Sequence, residues 1–519
     1  MLSPNQISEL IQDRLLPAYN ADKERFETIV EWLRGDALTL YLPKGADAEY
    51  ELLRKQSKFN VLKLVVKQLA QDLVVDGYRP TAESGLPVSS NAPIWDMVWQ
   101  PNRMDARQRM LYKAAIKFGW SYATVLPGAR QRPGRPEEQV DQLPDRTYSL
   151  VDEAVPVITP YSPRQFVACY ADRYNDEWAE CAMHLDRPTT KQAKGGSEPY
   201  DPDIDAKLRI YDAEHVYDVV KAKAGSGSRW EILGEASKHG MGVVPVVRWM
   251  DEWDCDEMPE GKVWSLITPQ QQLDQTSFSI LLIQNFASWR QRWISGMEEE
   301  DPGFRARIDA VWKSTDSNTK FGEFTASDPT PLLRSREAQL QFISAVGQVA
   351  PHQLVLAAGI ANISADALVA LQTSHDHDVN DHKITFGESD EQMIRLGGLA
   401  IAHTPEATDE QRAIGMAAWY DRSAQVIWRD TTPRSLAQIA DALGKLATQL
   451  EIPPEALWER IPGATQQDIE RWRELRGQRD QRLIADVQRM VDRGEDVMDR
   501  PPAEEPEPVG VPGNGSAPT

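Results

Sequence analysis

The stretch from Trp264 to Trp293, WSLITPQQQLDQTSFSILLIQNFASWRQRW, decides the fold class. Its single proline, Pro269, lies near the start, where a helix tolerates this residue. The pattern therefore predicts one long helix, roughly 40 Å in length at about 1.5 Å per residue. An uncharged run within it, Gln275 to Ser288, is 14 residues long and includes Gln, Ser and Asn. Because a membrane span needs roughly 20 mostly apolar residues, we expect no transmembrane helix.

The residues after this helix predict a small polar unit and a second helix. Met297 to Pro331 is polar, with a short helix near Arg305–Lys313 and a strand at Phe321–Ala326. An amphipathic helix then runs from about Ser335 to Ala350. Its apolar positions are Leu340, Ile343, Val346 and Val349.

The C-terminal part is also predicted to be helical. A break containing Pro and Gly, residues 351–362, precedes a long helix that begins near Ser364, a suitable N-cap. Residues 434–493 are rich in Ala, Leu, Arg and Glu, with two interruptions that contain proline. The proline-rich residues 501–519 are predicted to be disordered. The interruptions are Pro453-Pro454 and Pro462-Gly463.

The N-terminal third combines helices with a first strand. Lys55 to Asp76 carries an apolar stripe at helical spacing, with Gly77 placed as its C-cap. A second helix, Met104–Phe118, ends at Gly119, and a strand follows at 121–126.

From about Pro127 the pattern changes to strands and turns. Pro127–Pro144 is rich in Pro, Gly, Arg and Gln and is predicted to be a surface loop. Short strands and Gly/Ser-rich turns then predict an antiparallel β region. The strand candidates are Val155–Thr159, Gln165–Tyr170, Leu208–Tyr211, His215–Val220, Trp230–Leu233 and Val243–Trp249. The predicted fold class is therefore α+β and mainly helical.

The net charge and the composition of the chain argue against some classes of protein function. The chain of 519 residues has 79 acidic and 57 basic side chains, a formal net charge of −22, and is 41% hydrophobic. These values are typical of a folded protein with several units. They argue against a generic nucleic-acid-coating protein, which would present a basic surface. They are compatible with a protein that lets a polyanion pass without binding it.

The sequence lacks the motifs of common catalytic classes. It contains no phosphate loop, no Gly-x-Ser-x-Gly elbow and no His-Glu-x-x-His pair. His375, His377 and His382, with neighbouring aspartates, could supply metal ligands. On a helix, however, only His375 and His382 share a face, and we expect a solvated polar stretch. Metal binding or catalysis there is the alternative.

Cysteine and tryptophan usage adds two expectations. Cys169, Cys181 and Cys255 are too few for a disulfide scaffold in so long a chain, and we expect buried free thiols. The 16 tryptophans indicate core packing or large subunit contacts, because tryptophan is enriched at buried interfaces.

Four cations lie in or beside the polar unit. Each could bind a phosphate group of a nucleic acid. The alternative is that each is a solvated surface charge. They are Arg290, Arg292, Lys313 and Lys320.

Five short segments occur in a recognisable order. They are 60–78 (NVLKLVVKQLAQDLVVDGY), 99–105 (WQPNRMD), 115–122 (AIKFGWSY), 284–296 (QNFASWRQRWISG), and 350–368, which opens on APH and closes on NISADAL. In this order they resemble the portal proteins of tailed bacteriophages, in the SPP1-type group that is common in phages of actinobacteria. Two positions depart from that pattern: Asp366 replaces a glutamate, and 261–265 (GKVWS) replaces Gly-x-Ser before the long helix.

The resemblance implies a non-enzymatic homo-oligomeric ring, usually a dodecamer, at one vertex of the capsid. The ring would be assembled in the host cytoplasm, become part of the virion, and form the channel for DNA packaging and ejection. Implied partners are the terminase large subunit, a head-completion or adaptor protein, scaffold and major capsid protein, and transient non-specific double-stranded DNA. No cofactor, metal, catalytic residue or membrane is implied.

The resemblance also implies a division into regions. They are a wing (1–260), a stem helix (261–293), a clip (294–333), a second stem helix (334–350), a tunnel loop (351–363), a wing return with a long helix (364–430), a helical crown (431–500) and a disordered tail (501–519). On this plan His352, Gln353 and Asn362 approach DNA in the tunnel loop. The four cations named above would face terminase or phosphate at the clip.

Three other function classes remain open from the residues. One is another multimeric phage head or connector protein, although such proteins are usually shorter and lack a helix–small unit–helix arrangement. The second is a metal-dependent hydrolase that uses the three histidines. A cellular scaffold protein is a further alternative.

Overall fold

The computed structural model describes residues 1–37, 48–81, 93–128, 155–186, 207–221, 230–288, 292–295, 318–323, 328–350, 365–431, 436–461 and 463–493. The chain divides into two compact units, Met1–Thr432 and Pro433–Thr519. Several predicted segments lie outside the described residues: most of the loop after Pro127, the two Gly/Ser-rich turns at 194–197 and 225–228, the helix at 305–313, the break at 351–362 and the tail at 501–519.

Helices make up most of the described secondary structure. In the first unit they are α1 (Pro4–Leu10), α2 (Leu16–Ala21), α3 (Lys23–Arg34), α4 (Ala48–Gln56), α5 (Leu62–Asp72), α6 (Pro93–Val98), α7 (Met104–Phe118), α8 (Lys262–Ser288), α9 (Thr330–Val346), α10 (Ala365–Ala402) and α11 (Asp409–Tyr420). A π-helical turn, Ile11–Leu15, joins α1 to α2. In the second unit they are α12 (Leu436–Gln449), α13 (Pro454–Leu457) and α14 (Gln466–Arg493). No described helix is both long and apolar enough to cross a membrane.

The strands form antiparallel sheets. They are β1 (Val75–Arg79), β2 (Trp120–Leu126), β3 (Val157–Tyr161), β4 (Phe166–Cys169), β5 (Cys181–Asp186), β6 (Lys207–Tyr211), β7 (His215–Lys221), β8 (Trp230–Ile232), β9 (Ser237–Lys238), β10 (Val246–Met250), β11 (Arg292–Ser295), β12 (Lys320–Glu323) and β13 (Gln425–Trp428). The sheet orders are β1-β13, β10-β2-β3, β11-β12 and β4-β5-β6-β7-β8, with β9 beside β7. The chain is thus α+β and mainly helical, as the sequence predicts.

In the described part of the first unit, buried apolar side chains form two clusters. The larger one joins α3, α5 and α7 to the β10-β2-β3 sheet and to α8, α9 and α10. The smaller one forms where the N-terminal helices cover the long sheet, with Ile7, Ile11 and Leu15 packed against Met183 and Tyr217. Burial of such side chains contributes roughly 1.5–3 kcal/mol each.

The predicted N-terminal helix is wrong at both ends. Helix α5 covers only Leu62–Asp72, and Phe59 is exposed. Gly77 is not a C-cap but lies within β1, at a register shift against β13. The physical reason is the partner strand: β13 lies about 350 residues later in the chain, and no local pattern reveals it.

The helices around the polar unit are shifted from their predicted bounds. Helix α8 begins at Lys262 and ends at Ser288, so Trp293 lies in β11, where it pairs with Gly322 instead of extending the helix. Helix α9 begins at Thr330 and ends at Val346. Of its predicted core positions, Leu340, Ile343 and Val349 are buried, but Val346 is exposed.

Candidate functional site

Helices α8 and α9 both pack on the larger core, to which they contribute Leu266, Leu273, Leu340 and Ile343. Helices α8 and α9 run antiparallel: Gln339 donates a hydrogen bond to Thr276 at mid-length (2.9 Å), and the end of α9 at Gly347 packs on Leu266 near the start of α8. The β11–β12 pair lies in the chain between the two helices. At about 1.5 Å per residue, the 27 residues of α8 span roughly 40 Å.

Two glycines allow close backbone contact just before the start of α8. Gly119, the C-cap of α7, has φ 96°, and a Cβ there would lie 2.0 Å from the Pro259 carbonyl oxygen. Gly261 has φ 82°, and a Cβ there would lie 2.6 Å from the Gly119 nitrogen. Both positions combine a left-handed backbone with backbone-to-backbone contact, so only glycine fits.

A buried ionic cluster, which we call the charged base, joins the start of α8 and the end of β10 to α10. It consists of Asp251, Lys262, Asp378 and His382. Lys262 Nζ donates to Asp378 Oδ1 (2.6 Å), and His382 Nε2 lies 2.9 Å from Asp251 Oδ1. The two carboxylates balance the lysine and the imidazolium, which is the arrangement that buried charges require.

His382 is doubly protonated in this geometry. Its Nδ1 faces the Asp378 carbonyl oxygen at 2.7 Å and its Nε2 faces the Asp251 carboxylate, so both nitrogens meet acceptors. Burial opposes the charge, but the hydrogen bonds to Asp251 and Asp378 raise the pKa of His382 to about 10. No ring lone pair is left for a metal.

A second histidine–aspartate pair joins α10 to the end of α5, next to Gln348. His375 Nε2 is 2.9 Å from Asp72 Oδ2, and its Nδ1 is 3.1 Å from the Gln348 carbonyl oxygen. Gln348 also accepts a hydrogen bond from Lys262 through its side chain (2.9 Å) and has φ 52°. A non-glycine residue in the left-handed region is held there by surrounding contacts. The residues just before segment 351–364 are therefore anchored to α8 and α10.

These contacts correct the expectation of a solvated polar stretch. His375, Asp378 and His382 are buried, whereas Asp376, His377 and Asp381 are exposed. The shared face of His375 and His382 is confirmed. Sequence reasoning missed the burial because the partners of this face come from α5, α8 and the end of β10. Among the described residues, no three His, Cys, Asp or Glu side chains are grouped so as to hold a metal.

Sequence reasoning also missed a buried aspartate, Asp390, on the face of α10 that carries His382. Asp390 is fully buried and accepts hydrogen bonds from Tyr112 Oη (2.6 Å) and Trp249 Nε1 (3.0 Å). Burial raises its pKa to about 8. The available signal was spacing, because Asp390 follows His382 and Phe386 at intervals of four on one helix face.

Few of the predicted site residues belong to the part of the chain that the structure describes. His352, Gln353, Asn362, Arg290 and Lys313 lie outside the described residues. The other two are brought onto one strand pair: Arg292 lies opposite Glu323, and an exposed Lys320 lies opposite Ser295.

One face of α9 is apolar and exposed in the single chain. Phe342 is 56% exposed and Val346 41%, and Ala338 and Ala345 are exposed beside them. These positions recur at helical spacing and form one surface, which we call the α9 apolar face. An exposed apolar surface of this kind is typical of an interaction site.

The expectations for cysteine and tryptophan are only partly correct. Cys181 is buried and Cys169 partly so, but Cys255 is exposed, in a segment without secondary structure. Trp99 and Trp249 are fully buried core residues, whereas Trp253 is half exposed.

Comparison with protein families gives a match over most of the chain. The family model described as "Phage portal protein, SPP1 Gp6-like" matches residues 12–482. A chain of the solved structure titled "Neck of empty GTA particle computed with C6 symmetry" aligns over 79% of this chain and 92% of its own length, with 9% identity and a TM-score of 0.34. That similarity is too low to support a conclusion. Among curated proteins, none matches significantly.

Proposed function

The chain belongs to the SPP1 Gp6-like family of phage portal proteins, and we propose that it forms a ring at one capsid vertex through which DNA is packaged and ejected. The observation that carries the proposal is the extent of the family match, residues 12–482. Such proteins are structural, and we assign this chain no catalytic residue and no cofactor. The ring would be a homododecamer, built in the host cytoplasm and retained in the virion.

The order of α8, β11, β12 and α9 along the chain supports a stem and a clip. Two antiparallel helices with a small β unit between them suit an element that extends from a larger body. We assign the stem to 261–293 and 334–350 and the clip to 294–333. The wing would be 1–260 with 364–430, the tunnel loop 351–363, the crown 431–500 and the tail 501–519.

The α9 apolar face supports self-association. In a ring, each subunit meets its neighbours through one repeated pair of surfaces, and an exposed Phe342 would be covered there. In the second unit, α14 carries exposed Leu475, Leu483, Ile484 and Val487. Burial of these side chains against a neighbouring copy would stabilise the ring.

The net charge supports a conduit for DNA. Each phosphate that a protein neutralises releases counterions and strengthens binding, which would stall a moving duplex. A chain with a formal charge of −22 disfavours such binding. Within the channel we assign His352, Gln353 and Asn362 of the tunnel loop as the residues that approach DNA.

The clip is the proposed docking surface for other head proteins. An exposed Lys320 on β12, with Arg292 on the paired strand, would meet acidic groups of the terminase large subunit or of a head-completion protein. Arg290 and Lys313 would belong to the same surface. The wing or crown would contact scaffold and major capsid protein.

Omission of this chain from otherwise complete heads tests the proposed function. Heads are produced in bacteria from the full set of head and packaging genes of the phage, with and without this chain. We expect nuclease-protected DNA only in heads that contain it, and a tagged copy at one vertex in negative-stain images. Normal yields of DNA-filled heads without the chain would contradict the proposal.

A further inference from the structure

Two of the three cysteines lie opposite each other on neighbouring strands. Cys169 ends β4 and Cys181 begins β5, and they are paired in the antiparallel register. Glu180 N donates to the Cys169 carbonyl oxygen (2.9 Å) at this end of the ladder. Directly opposed residues have Cα atoms about 4.5–5.5 Å apart with side chains on one face. A disulfide spans Cα distances of about 4.4–6.8 Å, so the backbone already has the required spacing.

The two thiols have different surroundings. Cys181 is 3% exposed and packs in the smaller apolar cluster with Met183 and Tyr217. Cys169 is partly exposed and lines a cleft of about 320 Å³ beneath the N-terminal helices. A reagent in solution can therefore reach Cys169 before it can reach Cys181.

Three arginines line the same cleft. Arg14 pairs with Glu180, Arg173 lies 4.0 Å from Asp22, and Arg248 lies over the Tyr170 ring, 4.1 Å from its centroid. These three cations face two carboxylates, which leaves the cleft positive. A small anion is favoured there over a cation of similar size.

The pKa values of the two thiols also differ, and the more exposed thiol has the lower pKa. A hydrogen bond from Cys181 lowers the pKa of Cys169 despite burial, and Arg14 and Arg173 lower it further. The pKa of Cys181 is raised, first by that hydrogen bond and then by burial. Because the thiolate is the nucleophile, Cys169 attacks and Cys181 stays protonated until a bond to Cys169 has formed.

We propose that Cys169 and Cys181 form a redox-active dithiol that reacts with small anionic disulfides, such as oxidised glutathione, and closes into a disulfide between β4 and β5. In the first step the Cys169 thiolate attacks one sulfur of the disulfide RS–SR and releases RS⁻. In the second, Cys181 loses its proton to RS⁻ and attacks Cys169 Sγ, which expels a second RS⁻. Two protein thiols are oxidised, and one disulfide is reduced to two thiols.

Peptide mapping of the full chain after reaction with oxidised glutathione tests this order. In a Cys255→Ser background we expect an intrachain Cys169–Cys181 disulfide and no lasting glutathionyl adduct. With Cys181→Ser added, one glutathionyl group should remain on Cys169. With Cys169→Ser added instead, Cys181 should remain a free thiol. A lasting adduct on Cys169 in the Cys255→Ser chain, or no reaction at either thiol, would overturn the proposal.

Charge selectivity gives a second readout that does not depend on the Cys169→Ser or Cys181→Ser chain folding well. The Cys255→Ser chain should react faster with anionic oxidised glutathione than with cationic cystamine at low salt. Arg173→Gln should reduce this ratio of rates, because the substitution removes one cation from the cleft. Since the Arg173 side chain is exposed, the fold should tolerate the change. Equal rates with both disulfides in the Cys255→Ser chain would contradict the role of the arginines.

Discussion

Gly119 and Gly261 meet through their backbones just before the start of α8. A Cβ on Gly261 would lie 2.6 Å from the Gly119 nitrogen, and one on Gly119 would lie 2.0 Å from the Pro259 carbonyl oxygen. Because no flexible side chain is involved, neither clash can be relieved without moving the chain between β10 and α8.

Gly119→Ala is therefore expected to destabilise the protein strongly. The left-handed backbone costs a residue with a Cβ about 1–2 kcal/mol, and overpacking adds about 1–3 kcal/mol. Gly35→Ala is the matched control, since Gly35 has φ 80° but nothing within 4 Å of an added Cβ. Urea unfolding of both variants measures the difference. Equal losses in the two variants would show that the contact of residue 119 with Pro259 and Glu260 does not matter.

The charged base predicts a stability that falls at alkaline pH. The pKa of His382 is about 10 in the folded chain, against an ordinary value of 6.5. Its contribution is therefore complete below about pH 6.5 and is lost as pH rises toward 10. Since each pKa unit corresponds to about 1.4 kcal/mol, the loss is on the order of a few kcal/mol. Urea unfolding at pH 6 and pH 9 should show it in the wild type.

His382→Gln should remove the part of that pH dependence that His382 supplies and leave the part that Asp390 supplies. It should also lower stability at pH 6 by roughly 3–5 kcal/mol, because it leaves a buried excess of negative charge. Addition of Asp251→Asn should recover part of the loss, since charge balance returns. His377→Gln is the control on the exposed side of α10 and should change stability by less than about 0.5 kcal/mol. A His382→Gln chain with wild-type pH dependence would refute the assigned imidazolium.

The α9 apolar face predicts a variant that assembles poorly but folds normally. Phe342→Asp should shift the oligomer toward single chains, because a charge at a buried contact between subunits is costly. The thermal midpoint of the single chain should hardly change, since Phe342 is more than half exposed there. Gln341→Asp adds the same charge without removing apolar surface and serves as the control. Unchanged assembly of Phe342→Asp would place the subunit contact elsewhere.

The clip assignment predicts a packaging defect without a ring defect. Lys313→Glu combined with Lys320→Glu should reduce DNA packaging, because both cations are proposed to meet acidic groups of a docked protein. Ring formation in negative-stain images should be preserved. Lys238→Glu, an exposed lysine on β9, is the control and should package normally. Wild-type packaging by the double variant would remove both lysines from the docking surface.

Local patterns predicted those parts of the fold whose causes are local. The end of α7 at Gly119 and the strand after it follow from a glycine C-cap and an apolar run. The pairing of β1 with β13 could not be predicted, because the two strands are far apart in sequence. For the same reason His375 and His382 were expected in solvent: their partners Asp72 and Asp251 lie on distant elements.

The mass of the assembled protein tests the portal assignment most directly. The chain is co-expressed with the scaffolding protein of its own phage, purified, and measured by light scattering after size exclusion, with negative-stain images of the same peak. We expect rings with an axial hole and a mass of about 700 kDa, which corresponds to twelve chains of 58.4 kDa. A monomer, dimer or tetramer without rings under these conditions would contradict the account.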